Sequence, residues 1–162
     1  MEIREVRPDE LDEAGRVTAE AYDEFVSPDD PDWDEYHAEI GDVRGRAERA
    51  IVLGAFDDGK LLGTATVEFD RTLSGDPLPP DVARLRMLGV APAARGRGVG
   101  RALVEAANDL AVQHGRSAML LHTTDLMETA LALYQDMGFV RDPERDRVFE
   151  DGFVLVAYRL AL

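Results

Sequence analysis

The chain has 162 residues, 45% hydrophobic and 31% charged, with 33 acidic against 18 basic residues and no cysteine. That length suits one domain burying about two thirds of its unfolded surface, and the missing cysteines exclude a disulfide framework, a thiolate metal site and a cysteine nucleophile. A net charge of −15 argues against nucleic acid as a partner, no apolar run approaches the ~18 residues of a membrane span, and a first segment charged from Glu2 onward does not read as a secretory signal.

Taken in chain order, residues 2–6 alternate apolar and polar as a short strand does. Pro8 and Asp9 open a helix to about Phe25 with Leu11, Ala14, Val17, Ala21 and Phe25 on one face. Residues 27–32 (SPDDPD) form a turn-rich break, and a polar helix is expected from Trp33 to about Ala50. Ile51–Phe56 and Leu61–Phe69 read as a hairpin around the turn Asp57–Lys60, and Val82–Val90 as the strand after a proline-rich loop. Val99–Gln113 keeps helical spacing and stops at His114-Gly115. Ala118–His122 reads as a buried strand. Asp125 and Glu128 suggest a capping box for a helix from about Leu126 to Met137, and Phe139–Arg141 and Phe153–Leu160 close the chain. The order βααβββαβαββ predicts an α/β single domain over residues 1–162, a mixed sheet of about seven strands with about four helices on its two faces.

Charge is segregated along the chain. Residues 1–40 hold fifteen acids against three arginines, while residues 84–101 hold five arginines and no acid. The acidic end reads either as solubility or as a field that draws a cationic substrate. Cytoplasm is the expected compartment, and no metal is expected.

Arg95-Gly96-Arg97-Gly98-Val99-Gly100 stands between a predicted strand and a predicted helix. Glycine costs about 1 kcal/mol against alanine inside a helix, so bare backbone must serve a purpose there. The spacing is one residue too tight for the dinucleotide fingerprint G-x-G-x-x-G, and Arg101-Ala102 lacks the Lys-Ser/Thr of a P-loop. An Arg-Gly RNA-binding element would be longer and repeated. What remains is a pyrophosphate cradle, in which glycines let backbone N–H groups at a helix start approach an anion, or a mere basic turn.

Three stretches carry a resemblance to the GNAT superfamily of acyl-CoA-dependent N-acyltransferases. Arg95–Gly100 resembles its R/Q-x-x-G-x-G/A signature. Ala130-Leu131-Ala132-Leu133-Tyr134-Gln135-Asp136-Met137-Gly138-Phe139 resembles its A-x-x-L-Y-x-x-x-G-F helix, and Asp58-Gly59-Lys60-Leu61-Leu62-Gly63 its D-G-x-x-V-G hairpin. The resemblance implies a GNAT-like fold and acetyl-CoA as acyl donor. It implies that pantetheine lies like an extra strand along Leu88, Gly89 and Val90, and that backbone N–H groups of Gly96, Arg97, Gly98, Val99, Gly100 and Arg101 hold the pyrophosphate, with an arginine side chain at 95 or 97 adding a charge-assisted contact. The Leu88 N–H would polarise the thioester carbonyl. Tyr134 matches the family tyrosine near the sulfur, although residues 127, 130, 134 and 137 share one helix face and packing is the plainer reading of spacing alone. Met127 replaces a frequent family asparagine.

The general base is the open position. Many relatives carry a glutamate on the cofactor-facing strand, and Arg84 occupies the corresponding place. Glu68 and His122 are the candidates, against a solvated strand end for the first, a structural histidine for the second, and a water chain for either. Tyr22, Phe25, Trp33, Tyr36 and His37 lie among carboxylates and suggest either an acceptor wall for a cationic amine or ordinary helix packing. The expected activity is acetyl transfer to a small-molecule amine or an amino terminus by direct attack, with an acidic or phosphorylated acceptor disfavoured. The alternatives are a non-catalytic acyl-CoA-binding module and a homodimer subunit with a vestigial pocket.

Overall fold

Apolar runs covered on both faces make β-strands of most of the sheet; six strands of four to nine residues and two two-residue strands make up the eight-stranded sheet of the computed structural model, which describes residues 1–25 and 29–162. The strands are β1 (Glu2–Glu5), β2 (Ile51–Asp57), β3 (Lys60–Glu68), β4 (Val82–Val90), β5 (Ala118–Thr123), β6 (Val140–Arg141), β7 (Arg147–Val148) and β8 (Val154–Ala161). Their spatial order is β1-β2-β3-β4-β5-β8-β6, with β7 on β8. Every pairing is antiparallel except that of β4 with β5. A parallel neighbour needs a crossover, and helix α4 (Val99–Gln113) supplies it.

The two faces of the sheet are covered differently. Leu53, Val67, Leu85, Met119 and Leu121 pack with Leu103, Val104 and Ala107 of α4 in the larger core, which Tyr134 of α5 (Glu128–Asp136) also joins. On the other face, Val52, Phe56 and Leu61 meet Leu11 and Val17 of α1 (Leu11–Tyr22) and Val43 of α3 (Val43–Ala47). Among the described residues no helix is long and apolar enough to cross a membrane.

The structure differs from the expected elements where side chains compete with the helix ladder. The helix expected over 8–25 is α-helical only from Leu11 to Tyr22, with a 3₁₀ turn at each end. The helix expected from Trp33 to about Ala50 breaks into α2 (Trp33–Gly41) and α3, because the Asp42 side chain accepts the Gly45 N–H (2.9 Å) and starts a new helix. Arg46 then folds back, donating to the Glu39 and Ile40 carbonyls at 2.6 and 2.7 Å, and so satisfies the open end of α2. The Asp125–Glu128 capping box does not form: Met127 is the N-cap of α5, and Thr124 Oγ1 instead accepts the Leu126 N–H at 3.2 Å. Phe139 is a buried core residue ahead of β6 rather than part of it. The predicted break at 27–32 lies partly outside the described residues, since 26–28 are not among them.

Helix α1 is seated by small groups. A Cβ added at Gly15 would lie 2.3 Å from the Gly41 carbonyl oxygen, so α1 and α2 touch backbone to backbone. Thr18 Oγ1 donates to the Ala14 carbonyl (2.7 Å), which leaves the Thr64 hydroxyl of β3 as the donor in the buried Thr18–Thr64 pair. Gly15→Ala must push the two helices apart. It is expected to lower stability by about 1–3 kcal/mol, read as a lower urea midpoint at unchanged m-value.

Candidate functional site

Strands β4 and β5 pair only from Val82↔Ala118 to Leu85↔Leu121. Beyond that point β4 runs on to Val90, while His122 and Thr123 of β5 stay paired with Ala157 and Val156 of β8. The two parallel neighbours therefore diverge and leave a gap. At its mouth β4 carries an extra residue relative to β3, the register slipping between Thr64↔Gly89 and Thr66↔Arg86, with Met87 at φ +52°. A bulge bends its strand and re-aims the next residues. A non-glycine residue held at positive φ stores strain of the kind found at functional sites.

The bulge is braced from α1. The Tyr22 hydroxyl donates to the Leu88 carbonyl at 3.0 Å. A Cβ at Gly89 would sit 3.0 Å from Ala21 Cβ and 3.5 Å from Tyr22 Cε2, so Gly89 is there for close approach. Met127 packs against Ala21, Tyr22, Ile40 and Met87, which brings the start of α5 to the same place.

Past Val90 the chain enters the glycine segment. Gly96 and Gly98 have φ of +74° and +78°, a region that favours glycine, and a Cβ on either would meet nothing within 4 Å. Gly98 is the N-cap of α4 without a side-chain bond, and the first helical hydrogen bond runs from Ala102 N–H to its carbonyl. The N–H groups of Val99, Gly100 and Arg101 thus have no partner within the helix, beside open space. Gly100 has a different reason: its Cβ would press on Leu133 Cδ2 (3.4 Å) and Val90 Cγ2 (3.7 Å), so it lets α4 pack on α5 and β4. Val99 is buried in the core and anchors the helix start.

The arginines divide as well. Arg95 turns back to the end of α1, donating to the Ala21 carbonyl (3.0 Å) and pairing with Glu24 (2.7 Å). Arg97 pairs with Asp57 at 2.7 Å, and Arg101 with Asp136. These last two are solvent-exposed pairs of the kind worth at most about 1 kcal/mol, easily exchanged for a better anion.

Tyr134 is buried with its ring tilted on Phe139, centroids 5.7 Å apart. Burial pushes its phenol far above the usual range, so it holds its proton at every physiological pH. Alternation along the strands puts Glu68, Arg84 and His122 on the opposite face, since their neighbours Val67, Leu85 and Leu121 belong to the core under α4. Glu68 is not a solvated strand end: none of its surface is exposed, Oε1 accepts the Leu73 N–H at 2.8 Å, and Arg84 Nε stands 3.4 Å from Oε2. Glu68 and Arg84 are direct cross-strand partners, and Arg86 comes within 3.8 Å of the same carboxylate.

His122 Nε2 lies 2.8 Å from the Arg145 carbonyl, which can only accept, so the ring proton is on Nε2. Its Nδ1 is buried without a hydrogen-bond partner among the described residues. Burial, the largest influence, holds the imidazole pKa below its ordinary value despite that bond. The turn that offers the Arg145 carbonyl is pinned by Asp146, which accepts from both terminal nitrogens of Arg141 (2.6 and 2.9 Å) and from the Ala157 N–H (2.8 Å).

Tyr22, Phe25, Trp33, Tyr36 and His37 are expected to form either an acceptor wall or ordinary helix packing. The structure splits that set: Tyr22 stacks edge-on with Phe25 (6.2 Å) at the bulge, while Trp33 gathers Tyr36 and His37 (5.9 Å each) on the outer helix. The bracing role of Tyr22 and the pairing of Arg86 with Glu39 (3.0 Å) were missed. Neither has a local sequence signal, since both partners lie more than forty residues away.

The sequence model of the family described as "Acetyltransferase (GNAT) family" matches residues 14–139. The chain belongs to this family. The mycothiol acetyltransferase of Renibacterium salmoninarum is 37% identical over 60 residues, 37% of this chain, and the match spans only 18% of that relative's length. Among solved structures, the PaiA N-acetyltransferase of Thermoplasma acidophilum in complex with coenzyme A aligns with a TM-score of 0.75 at 17% identity, covering 99% of this chain and 98% of that one. The ribosomal-protein-alanine N-acetyltransferase of Brucella melitensis aligns at 0.69 and 20% identity over the whole of both chains. The GNAT fold is thus common to all three structures.

Asp146 yields a check on the support of the His122 turn. Hydrogen bonds from Arg141 and Ala157 hold its carboxyl at about 2, below the ordinary value of 3.8. Its folded pKa is depressed, so its stabilising contribution is present above pH ~4 and lost as pH falls towards ~2. Thermal melts between pH 2 and 7 are expected to show Asp146→Asn least stable relative to the parent near neutrality, with the two converging at the acid end.

Proposed function

We propose that the chain is an N-acetyltransferase that moves an acetyl group from acetyl-CoA to the amine of a small molecule or an amino terminus by direct attack. The observation that supports this reading is the divergence of β4 from β5 next to a helix start whose first N–H groups lack partners within the helix and which follows two positive-φ glycines with open space beside them. A strand edge suits the amides of pantetheine, and a helix start suits phosphates. Backbone of Leu88, Gly89 and Val90 takes the first role. Backbone from Gly96 to Arg101 takes the second, with Arg97 and Arg101 rather than Arg95 as the side chains free to turn, since Arg95 is engaged with α1. The donor, when bound, supplies an activated thioester.

The residues of the chain do the rest. The Leu88 N–H beside the bulge polarises the carbonyl oxygen. A primary amine near pKa ~10 is mostly protonated at neutral pH and needs a proton acceptor. His122 fits that role better than Glu68, because Nδ1 has a free lone pair and stays neutral, whereas Glu68 is engaged by an amide and two guanidiniums. As the new C–N bond forms and the C–S bond breaks, the amine proton passes to His122 and the Tyr134 phenol proton to the departing sulfur.

One observation favours a second reading, a non-catalytic acyl-CoA-binding module: Arg84 stands on β4 and ties up the buried carboxylate beside it. Calorimetry with acetyl-CoA and thiol release across an amine panel separate the two. Binding with turnover supports the transferase, binding without turnover the module, and no binding overturns both.

Gly98→Val should weaken acetyl-CoA binding at least tenfold while circular dichroism stays native, because its side chain would stand in the open space beside the cradle; unchanged binding would remove the cradle. The parent's kcat/KM should fall at acid pH as His122 takes up a proton, with a midpoint below the ordinary imidazole value of about 6.5. His122→Asn should lower turnover ~100-fold and abolish that acid limb.

A further inference from the structure

We propose that the acceptor amine carries a carboxylate within the same small molecule, and that Arg84 and Arg86 bind this anion at the neck of the β4–β5 gap. The proposal rests on the transferase reading above and deepens it.

Charged side chains are buried together on the α1/α2 face. Arg46, Arg84 and Glu68 are all more than nine-tenths buried, and the Arg86 side chain is 17% exposed. Two of these guanidiniums, those of Arg84 and Arg86, share the one buried carboxylate. Arg46 instead closes α2, its two terminal nitrogens donating to the Glu39 and Ile40 carbonyls. Glu68 faces both loosely, at 3.4 Å from Arg84 and 3.8 Å from Arg86, and the second countercharge is Glu39 at 3.0 Å from Arg86. A countercharge held by an exposed side chain contributes little and is readily exchanged for a better-placed carboxylate.

Hydrogen bonding points the same way. Buried polar atoms are almost always paired. Yet Arg84 Nε, Arg86 Nη1, Glu68 Oε2 and His122 Nδ1 are all buried without a hydrogen bond among the described residues, half of the eight such atoms found. Arg84 Nε and Glu68 Oε2 face one another at 3.4 Å, which leaves Arg86 Nη1 and His122 Nδ1 as the donor and the acceptor that a ligand's own polar groups would meet. Guanidiniums offer planar donor forks that fit a carboxylate. Glu39, whose side chain is 54% exposed, already presents a carboxylate to Arg86 at 3.0 Å, an exposed partner that a substrate carboxylate can displace.

Position then fixes the substrate's shape. Arg86 stands one residue beyond Leu85 on β4, and His122 one residue beyond Leu121 on β5, at the two sides of the point where pairing stops. An anion on the first and an amine offered to the second belong to one compact molecule, an α- or β-amino acid in form. The acids of the first helices do not oppose this: the described ones between Asp23 and Glu39 are all exposed.

Thiol release from acetyl-CoA should be measured with free amino acids, their amides, the matching decarboxylated amines, aminophosphonates and short peptides. The expected result is a kcat/KM at least tenfold higher for amino acids than for amides and plain amines. In Arg86→Gln that preference should shrink at least fivefold, with partial recovery in Arg86→Lys. Amides or plain amines used as well as amino acids would overturn the proposal, aminophosphonates preferred would replace the carboxylate by a phosphate-like anion, and peptides preferred would remove the small molecule. Should Arg86→Gln fail to fold, the comparison within the parent still decides. Should no acceptor turn over, the transferase reading fails, and titration of N-acetyl amino acids and their amides into the CoA-saturated protein tests the anion site alone. Tenfold tighter binding of the acid supports it, and equal or absent binding overturns it.

Discussion

Two parallel strands that stop pairing at Leu85 and Leu121 set the terms for the rest of the molecule. A continuous parallel sheet would satisfy its own backbone and leave no strand edge for a ligand. Here β8 keeps β5 paired as far as Thr123, so divergence opens on the β4 side alone. The extra residue at Met87 is what lets β4 turn away while remaining on β3, and positive φ at a methionine costs about 1–3 kcal/mol that surrounding packing must offset. That packing is α1: its Tyr22 hydroxyl holds the Leu88 carbonyl, and its Ala21 leaves room only for glycine at 89. The same helix is bound to β3 through Thr18 and Thr64 and to α2 through Gly15 and Gly41. Distortion of one strand is in this way underwritten by a helix docked through its smallest side chains.

The glycine segment is best understood as two devices rather than one. Gly96 and Gly98 are required by backbone conformation and have open space beside them, whereas Gly100 is required by packing against Leu133 and Val90. Its arginines divide similarly, Arg95 closing the end of α1 while Arg97 and Arg101 rest on surface carboxylates. A single motif thus ties α4 to α5, to β4 and to α1. Loss of any one of these contacts would reach the gap without touching a ligand.

Much of this was legible in the sequence because it is local. The apolar runs that became β2, β3, β4 and β5, the crossover helix and the spacing of glycines all depend on neighbours a few residues apart. The break at Asp42 was not legible, since a polar helix with weak periodicity gives no sign that one aspartate will accept Gly45 N–H and that Arg46 will reverse to close the preceding turn. For Glu68 the sequence left open a proton acceptor or a solvated strand end, since nothing local shows what a strand end packs against. Its complete burial follows from a register that sets it opposite Arg84 and from a loop that returns the Leu73 amide to it. The brace from Tyr22 to Leu88 spans 66 residues and leaves no trace in either segment alone.

The sign of the charge inside the site is the feature least expected from composition. A chain with a net charge of −15 buries one carboxylate, that of Glu68, and sets two arginines beside it near the point where the strands part. Position 84 makes the point: its residue faces the gap's neck, and the accompanying carboxylate stands on the neighbouring strand. An isolated glutamate there would be a proton acceptor. An arginine held by that glutamate is instead a fixed cation, and the imidazole on β5 is the neighbouring buried group of that face with a free nitrogen. Under the transfer proposed above, this exchange of charge between two adjacent strands would set both what a substrate carries and which residue takes its proton.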